Sequence, residues 1–445
     1  MTKECARRSF LKGGILTATA LTGLTSTMST HIAPVHAAEN NTIRIGLVGC
    51  GGRGCGAVGN AFAVDPNIRL VTVGDAFAEK AESAVKLMKE TENLAPRIDV
   101  TPEMIFSGFD AYKNVIDNCD VVFLCQSPHF RPASLRYAVE KGRHAFAEKP
   151  MAVDGAGVKS ILESARLAAE KNVHILSGYC FRHDPNIVEM VKRIRDGVIG
   201  DVVAIRANFL TSPAWVRNRL PGDTEMMYQL RNWYNFAWLS GDFSVERTCH
   251  SMDKSLLVMG DQVPDFAHGS GGRMRRTGPS ASGDLYDTIN AVYEYGDGRT
   301  IFAYCSELAN TLQEREEYVM GTKGTAQLMK GIITKTGESP VKLDRIPGNQ
   351  FELEHAAFFK AIRSGGAIRH NDGENMAKST MATIMGRLAA ITGRRLSWQQ
   401  AFDMELPMTP SAYAWDATPP TLPDEKGRYK VPVAGMGSVY HEIVR

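Results

Sequence analysis

Short β-rich apolar runs recur at residues 43–48, 70–74, 121–125, 144–147 and 173–176. Helical spacing fills the intervals at 57–64, 78–89, 133–141 and 155–171. Strands alternating with helices predict a doubly wound parallel sheet across residues 42–176. The pattern then changes. Residues 201–211, 288–295, 300–306, 317–320 and 325–329 alternate polar with apolar positions. That period predicts a large, open, mainly antiparallel sheet with one half-exposed face. Gly296-Asp297-Gly298 supplies a hairpin turn between two of its strands. Residues 352–363 and 375–393 have the spacing of long amphipathic helices that could cover one face of the sheet. The α/β chain is therefore expected to hold a nucleotide-type domain over 42–176, a substrate and oligomerisation domain over 177–415, and an aperiodic surface tail over 416–445.

Composition narrows the class. Of 445 residues, 44% are hydrophobic and 22% charged, the balance of a globular chain and not of a disordered or multi-span membrane one. A net charge of +2 gives no electrostatic case for nucleic acid. The N-terminus carries an address. Arg7-Arg8-Ser9-Phe10-Leu11-Lys12, a mildly apolar run over 13–24 and Val35-His36-Ala37 together resemble a twin-arginine export signal over residues 1–37. The apolar run is too short and too rich in Gly and Thr to span a bilayer. Export would place a folded, nearly neutral chain in the periplasm. Of the 8 cysteines, Cys5 would leave with the signal. The rest are scattered and odd in number, unlike a disulfide framework. Cys180 and His183 lack a second Cys/His pair at zinc spacing, so no metal is expected.

Gly49-Cys50-Gly51-Gly52-Arg53-Gly54 directly follows the first strand and precedes a helical stretch, and Asp75 ends the second strand about twenty residues on. In that context G-x-G-x-x-G is a dinucleotide fingerprint. The glycines admit the pyrophosphate to backbone N–H groups, and Asp75 can accept from the adenosine ribose. The acid favours NAD over NADP, although Arg53 leaves some NADP use open. Glu148-Lys149-Pro150 ends a later strand of the same sheet, where open α/β folds bind ligands. There Lys149 could stabilise a developing alkoxide. In Glu246-Arg247-Thr248-Cys249-His250-Ser251-Met252-Asp253 an acid stands four before a histidine and another three after it. On a helix the three share a face. Carboxylates on both sides would orient His250 as a general base; the alternative is a surface ion-pair ladder. Residues 215–238 carry Trp215, Tyr228, Trp233, Tyr234 and Trp238 with Arg217, Arg219 and Arg231, a mixture suited to sugar rings or to plain packing. Gly272-Arg273-Met274-Arg275-Arg276 is a basic stretch that is either solvated or faces an acidic substrate.

With these residues the chain resembles the glucose–fructose oxidoreductase / inositol dehydrogenase (Gfo/Idh/MocA) family. The resemblance rests on the glycine loop, the Glu-Lys-Pro strand end, Arg182-x-x-Pro185, Val198-Ile199-Gly200 and the helix of His250. It implies a Rossmann domain, a C-terminal α/β domain with an open antiparallel sheet, and NAD chemistry on the CH–OH groups of sugars or polyols. It also implies catalytic roles for Lys149 and His250, with Glu246 and Asp253 orienting, and puts Gln126, Ser127, Pro128 and His129 along the nicotinamide. Arg182, Trp233 and Tyr234 join Lys149 and His250 as expected substrate contacts, and Glu148 and Arg182 join the cofactor set. Two features depart from the family: Glu246 replaces the usual Asp, and the usual asparagine near residues 126–129 is missing. NAD-dependent glycosidases of the same superfamily share twin-arginine signals, but their Tyr-Pro-Thr-His segment is absent. Three readings follow: a dehydrogenase with tightly held NAD, a glycosidase or lyase working by transient oxidation, elimination and re-reduction, and a non-catalytic sugar-binding protein. The half-exposed sheet face suggests a homodimer or homotetramer.

Overall fold

A computed structural model describes residues 41–275 and 283–435. The export signal, Arg276 and the end of the expected tail lie outside the described residues. Six strands form the first sheet: β1 (Ile43–Val48), β2 (Ile68–Asp75), β3 (Ile105–Ser107), β4 (Val121–Leu124), β5 (His144–Ala147) and β6 (Ile175–Ser177). All pair in parallel, in the order β3-β2-β1-β4-β5-β6. The helices α1 (Gly52–Val64), α2 (Ala78–Glu90), α3 (Ala111–Asp117), α4 (Arg131–Glu140) and α5 (Gly155–Glu170) alternate with them. The strands are apolar on both faces because helices cover both, and Ile45, Leu47, Phe123 and Phe146 are fully buried. The order reverses between β1 and β4, and such a switch point opens the crevice in which doubly wound sheets bind ligands.

After α6 (Pro185–Arg195) comes a second sheet: β7 (Val202–Thr211), β8 (Phe266–Gly272), β9 (Thr288–Glu294), β10 (Thr300–Glu307), β11 (Glu314–Gly321), β12 (Gly324–Gln327), β13 (Ile332–Lys335), β14 (Val341–Lys342) and β15 (Leu396–Ser397). Its order is β14-β13-β12-β11-β7-β10-β9-β8-β15. The sheet is mixed and mostly antiparallel, with β7 and β10 running parallel. The hairpin at 296–298 joins β9 to β10, and Gly298 takes φ +91° there, the left-handed region that glycine adopts without strain. β8 escapes the sequence pattern because its Ala-His-Gly-Ser-Gly-Gly run lacks the bulky alternation of a strand.

The helices α7 (Glu225–Arg231), α8 (Ala237–Ser240) and α9 (Phe243–Val258) lie between β7 and β8, and α10 (Gln350–Arg363), α11 (Gly373–Thr392) and α12 (Trp398–Asp403) follow β14. α9 buries Val245, Cys249, Met252 and Leu256, an i, i+4, i+7, i+11 stripe. Asp242 caps it by accepting from the Ser244 N–H at 3.2 Å. The structure differs from the expected cover of the second sheet at α10. This helix packs on α1, and its Phe358, Phe359 and Ile362 complete the core of the first sheet. Amphipathic spacing shows that a helix buries one face; it does not show which sheet receives it. α11 does pack on β8 and β9 and also meets α5 and α9. Irregular backbone begins after Asp403 rather than at 416. It is tied to α7 by Gln229 donating to the Thr421 carbonyl at 2.8 Å. No helix among the described residues is long and apolar enough to cross a membrane.

Candidate active site

The turn after β1 has the geometry the glycine pattern calls for. Gly49 takes φ +91°, and a Cβ there would come within 2.4 Å of the Gln126 nitrogen. At Gly54 a Cβ would meet the Gly49 carbonyl at 2.3 Å, so α1 can lie against the strand only without a side chain. Gly51 and Gly52 have nothing within 4 Å of such a Cβ. That bare, open stretch at the start of α1 fits a pyrophosphate. Asp75 accepts from the backbone N–H of Cys50 at 2.9 Å and of Phe77 at 3.1 Å. It is thereby held at the end of β2 beside the loop. Gln126 donates to Ser134 at 2.9 Å and leaves its buried Oε1 without a partner.

Arg53 is engaged by neighbouring side chains. It pairs with Glu148, approaches Glu354 at 3.5 Å and stacks over Phe351 at 4.9 Å. Glu148 is 4% exposed and also accepts from the Lys149 N–H at 3.1 Å. Ser127 precedes a short turn begun by Pro128. His129, expected along the nicotinamide, sits edge-on to Trp238 and hydrogen-bonds the Tyr413 hydroxyl at 2.8 Å. Burial pushes its pKa down to about 4, so it is neutral.

Lys149 crosses from the end of β5 to α9. Its ammonium donates to Glu246 Oε1 at 2.8 Å and to the Glu246 carbonyl at 2.7 Å. Burial alone would lower its pKa, but Glu246 and then Cys249 outweigh that and hold it above the ordinary value. His250 lies one turn further along α9, edge-on to Phe181 at 5.4 Å and Tyr179 at 6.2 Å. Burial first, and the Lys149 charge second, depress its pKa well below the usual histidine value, and its Nδ1 has no partner. A neutral imidazole beside a buried ammonium is a base next to an electrostatic stabiliser.

The expected carboxylate sandwich around His250 does not form. Glu246 serves Lys149. Asp253 accepts from Arg182 Nε at 2.8 Å and from the Ser379 hydroxyl at 2.7 Å. Burial raises the pKa of Asp253, opposed by Arg182. Arg182 also grips Asp261 at 2.7 Å, so its guanidinium is committed to two carboxylates. The physical reason is burial: two acids in the interior pair with the cations that neighbouring elements bring.

Of the aromatic stretch, Trp215 is 40% exposed and meets the half-buried Trp233 at 6.0 Å. Tyr228 and Trp238 are core residues. Tyr234 is 3% exposed and donates to Glu307 at 2.7 Å, beneath the Arg247 guanidinium. It thus supports the site from below rather than offering a face to a sugar. Arg273 donates to the carbonyls of Leu285 and Gly283 and is not a free basic group. A cleft of about 480 Å³ is lined by Arg247 of α9 with Leu210, Thr211, Ser212, Gln313, Glu314 and Arg315. Sequence reasoning missed Gln313 and Arg315, which lie in and just before β11, because only the pairing of β11 with β7 brings them beside α9.

Comparison with known proteins gives the setting. Residues 43–179 match the family model described as "Oxidoreductase family, NAD-binding Rossmann fold", and residues 187–327 match the "GFO/IDH/MocA C-terminal domain". An inositol 2-dehydrogenase from Rhizobium meliloti (strain 1021) is 21% identical over 370 residues, covering 78% of this chain and 97% of the relative. A glycosyl hydrolase family 109 protein from Streptomyces coelicolor is 26% identical over 175 residues, 39% of this chain and 35% of its own. The crystal structure of aldose-aldose oxidoreductase from Caulobacter crescentus shares the fold with a TM-score of 0.61 at 18% identity, over 80% of this chain and 99% of that one.

Proposed function

This chain belongs to the GFO/IDH/MocA oxidoreductase family, and from that premise we propose that it is an NAD-dependent oxidoreductase acting on a CH–OH carbon of a sugar or glycoside. One observation carries the reading. Lys149, from the strand end of the Rossmann domain, is fixed by the backbone carbonyl and one carboxylate oxygen of Glu246, one helical turn before a neutral His250.

The glycine loop, Asp75 and the end of β4 would hold the dinucleotide, and the commitment of Arg53 to Glu148 favours NAD over NADP. Bound there, the cofactor supplies the electron-pair acceptor for the carbinol carbon. His250 takes the hydroxyl proton. Lys149 stabilises the charge that develops on that oxygen, and Glu246 keeps Lys149 protonated and aimed. Asp253 acts through Arg182 as a positioning residue. The cleft beside Arg247 and Arg315 offers donors to the remaining hydroxyls. In this reading the protein is exported folded to the periplasm with its cofactor tightly held, and assembles as a homodimer or homotetramer.

The glycosyl hydrolase relatives favour a second reading, in which oxidation is transient and a glycosidic bond is eliminated before re-reduction. The test is to purify the full chain without added nucleotide, identify any NAD(H) in the denatured supernatant, and assay polyols and chromogenic glycosides. Net NADH from a polyol, lost in His250→Ala, supports the first reading. Released aglycone without net NADH supports the second. A protein that neither carries nor binds NAD refutes both.

A further inference from the structure

His183 and His370 are far apart in sequence, yet the fold brings their rings to 6.0 Å with only 21° between the planes. Asp372 completes the group, and its Oδ2 lies 3.1 Å from His370 Nε2. One ligand atom from each of the three lies within 4.8 Å of the others. We propose that His183, His370 and Asp372 form a site for a divalent transition-metal ion of the zinc class, clipping the turn that carries Arg182 to the loop that leads into α11.

Two imidazoles and one carboxylate are a donor set that zinc-class ions favour, and three protein ligands leave a coordination position for water. Bonds of about 2.0–2.2 Å in a tetrahedron put ligand atoms about 3.3 Å from one another. The His370–Asp372 pair is already at that spacing, so closure needs only a small rotation of His183. The supporting contacts are built in. Asp372 Oδ2 accepts from the Ser177 N–H at 2.9 Å, and the backbone of residues 370–372 is bound to Ile175 through two hydrogen bonds of 3.0 Å. Such outer contacts orient ligands before an ion arrives. The His183 side chain is half-buried and its ring stacks on that of His370. The site is separate from the Lys149–His250 centre but adjoins it through Arg182, the residue before His183, which holds Asp253 on α9.

The experiment is a Co²⁺ titration of the chelator-treated full chain, followed by visible absorption and by displacement with Zn²⁺. We expect one equivalent per chain, a spectrum without thiolate charge-transfer bands, and a thermal midpoint raised by several degrees with Zn²⁺. In His183→Gln and Asp372→Asn, whose circular dichroism should match the parent, binding weakens more than about tenfold and the thermal gain disappears. Absent binding, equal binding by the variants, or a thiolate spectrum overturns the proposal.

Discussion

Glu246→Gln isolates the electrostatic half of the Lys149–Glu246 contact. Glutamine keeps an oxygen for the ammonium and preserves helix propensity and volume, but removes the negative charge. At 2.8 Å, the unit-charge attraction at an effective dielectric of about 20 is about 6 kcal/mol. Desolvation of two mostly buried groups cancels much of it. If a third survives as net stabilisation of the charged amine, the loss is about 2 kcal/mol, or about 1.5 pKa units. The sign follows from the environment. Burial pushes the Lys149 pKa down and Glu246 is the largest influence pushing it up, so without the acid the amine loses its proton at a lower pH than in the parent. Competitive acetylation across pH, read on the Lys149 peptide by mass spectrometry, titrates the amine directly and needs no substrate. The midpoint should stand above the ordinary value in the parent and fall by about one to two units in the variant. The alkaline limb of kcat/KM should move the same way once a substrate is known. An unchanged midpoint in a folded variant would refute the assignment of Glu246 as the group that keeps Lys149 charged.

Other outcomes follow from the same geometry. His250→Ala should lower kcat/KM by about 10²–10⁴ while NAD affinity, measured by calorimetry, stays within a few-fold. Gly51→Ala and Gly54→Ala should behave differently: the first folds with an unchanged melting temperature but loses NAD binding, because its methyl group occupies only open space in the loop. The second destabilises the free protein, since its Cβ meets the Gly49 carbonyl at 2.3 Å. Trp415→Ala should cost about 2 kcal/mol in chemical denaturation, as its ring packs at 4.8 Å from Phe109 and 5.1 Å from Phe77. If the segment around Trp415 helps retain the cofactor at the β2 and β3 strand ends, the same variant will also release NAD faster.

What the sequence could show and what it could not divide along a physical line. The glycine loop was legible because its requirement is local: residues 49–54 must turn sharply and admit a backbone-bound anion, and few residue types allow it. The strand-end Lys149 and the α9 stripe were legible for the same reason, since period and flanking turns are properties of contiguous residues. Partnership was not. Glu246, His250 and Asp253 share a helix face, and from that face alone a carboxylate–histidine–carboxylate array is a sound inference. It fails because a buried acid pairs with the strongest cation within reach, and Lys149 and Arg182 arrive from other elements. That leaves His250 without a carboxylate, with its Nδ1 unpartnered and its pKa depressed by burial and by the Lys149 charge, so in the proposed reaction it would start as a neutral base rather than as half of an ion pair. The same limit hid the His183–His370–Asp372 group. A search for metal-ligand spacing in sequence finds Cys180 near His183, but the group that forms does not include Cys180, and the partners of His183 come from a loop laid along β6. Local chemistry nominated the actors, and only the pairing of distant elements decided which charge meets which.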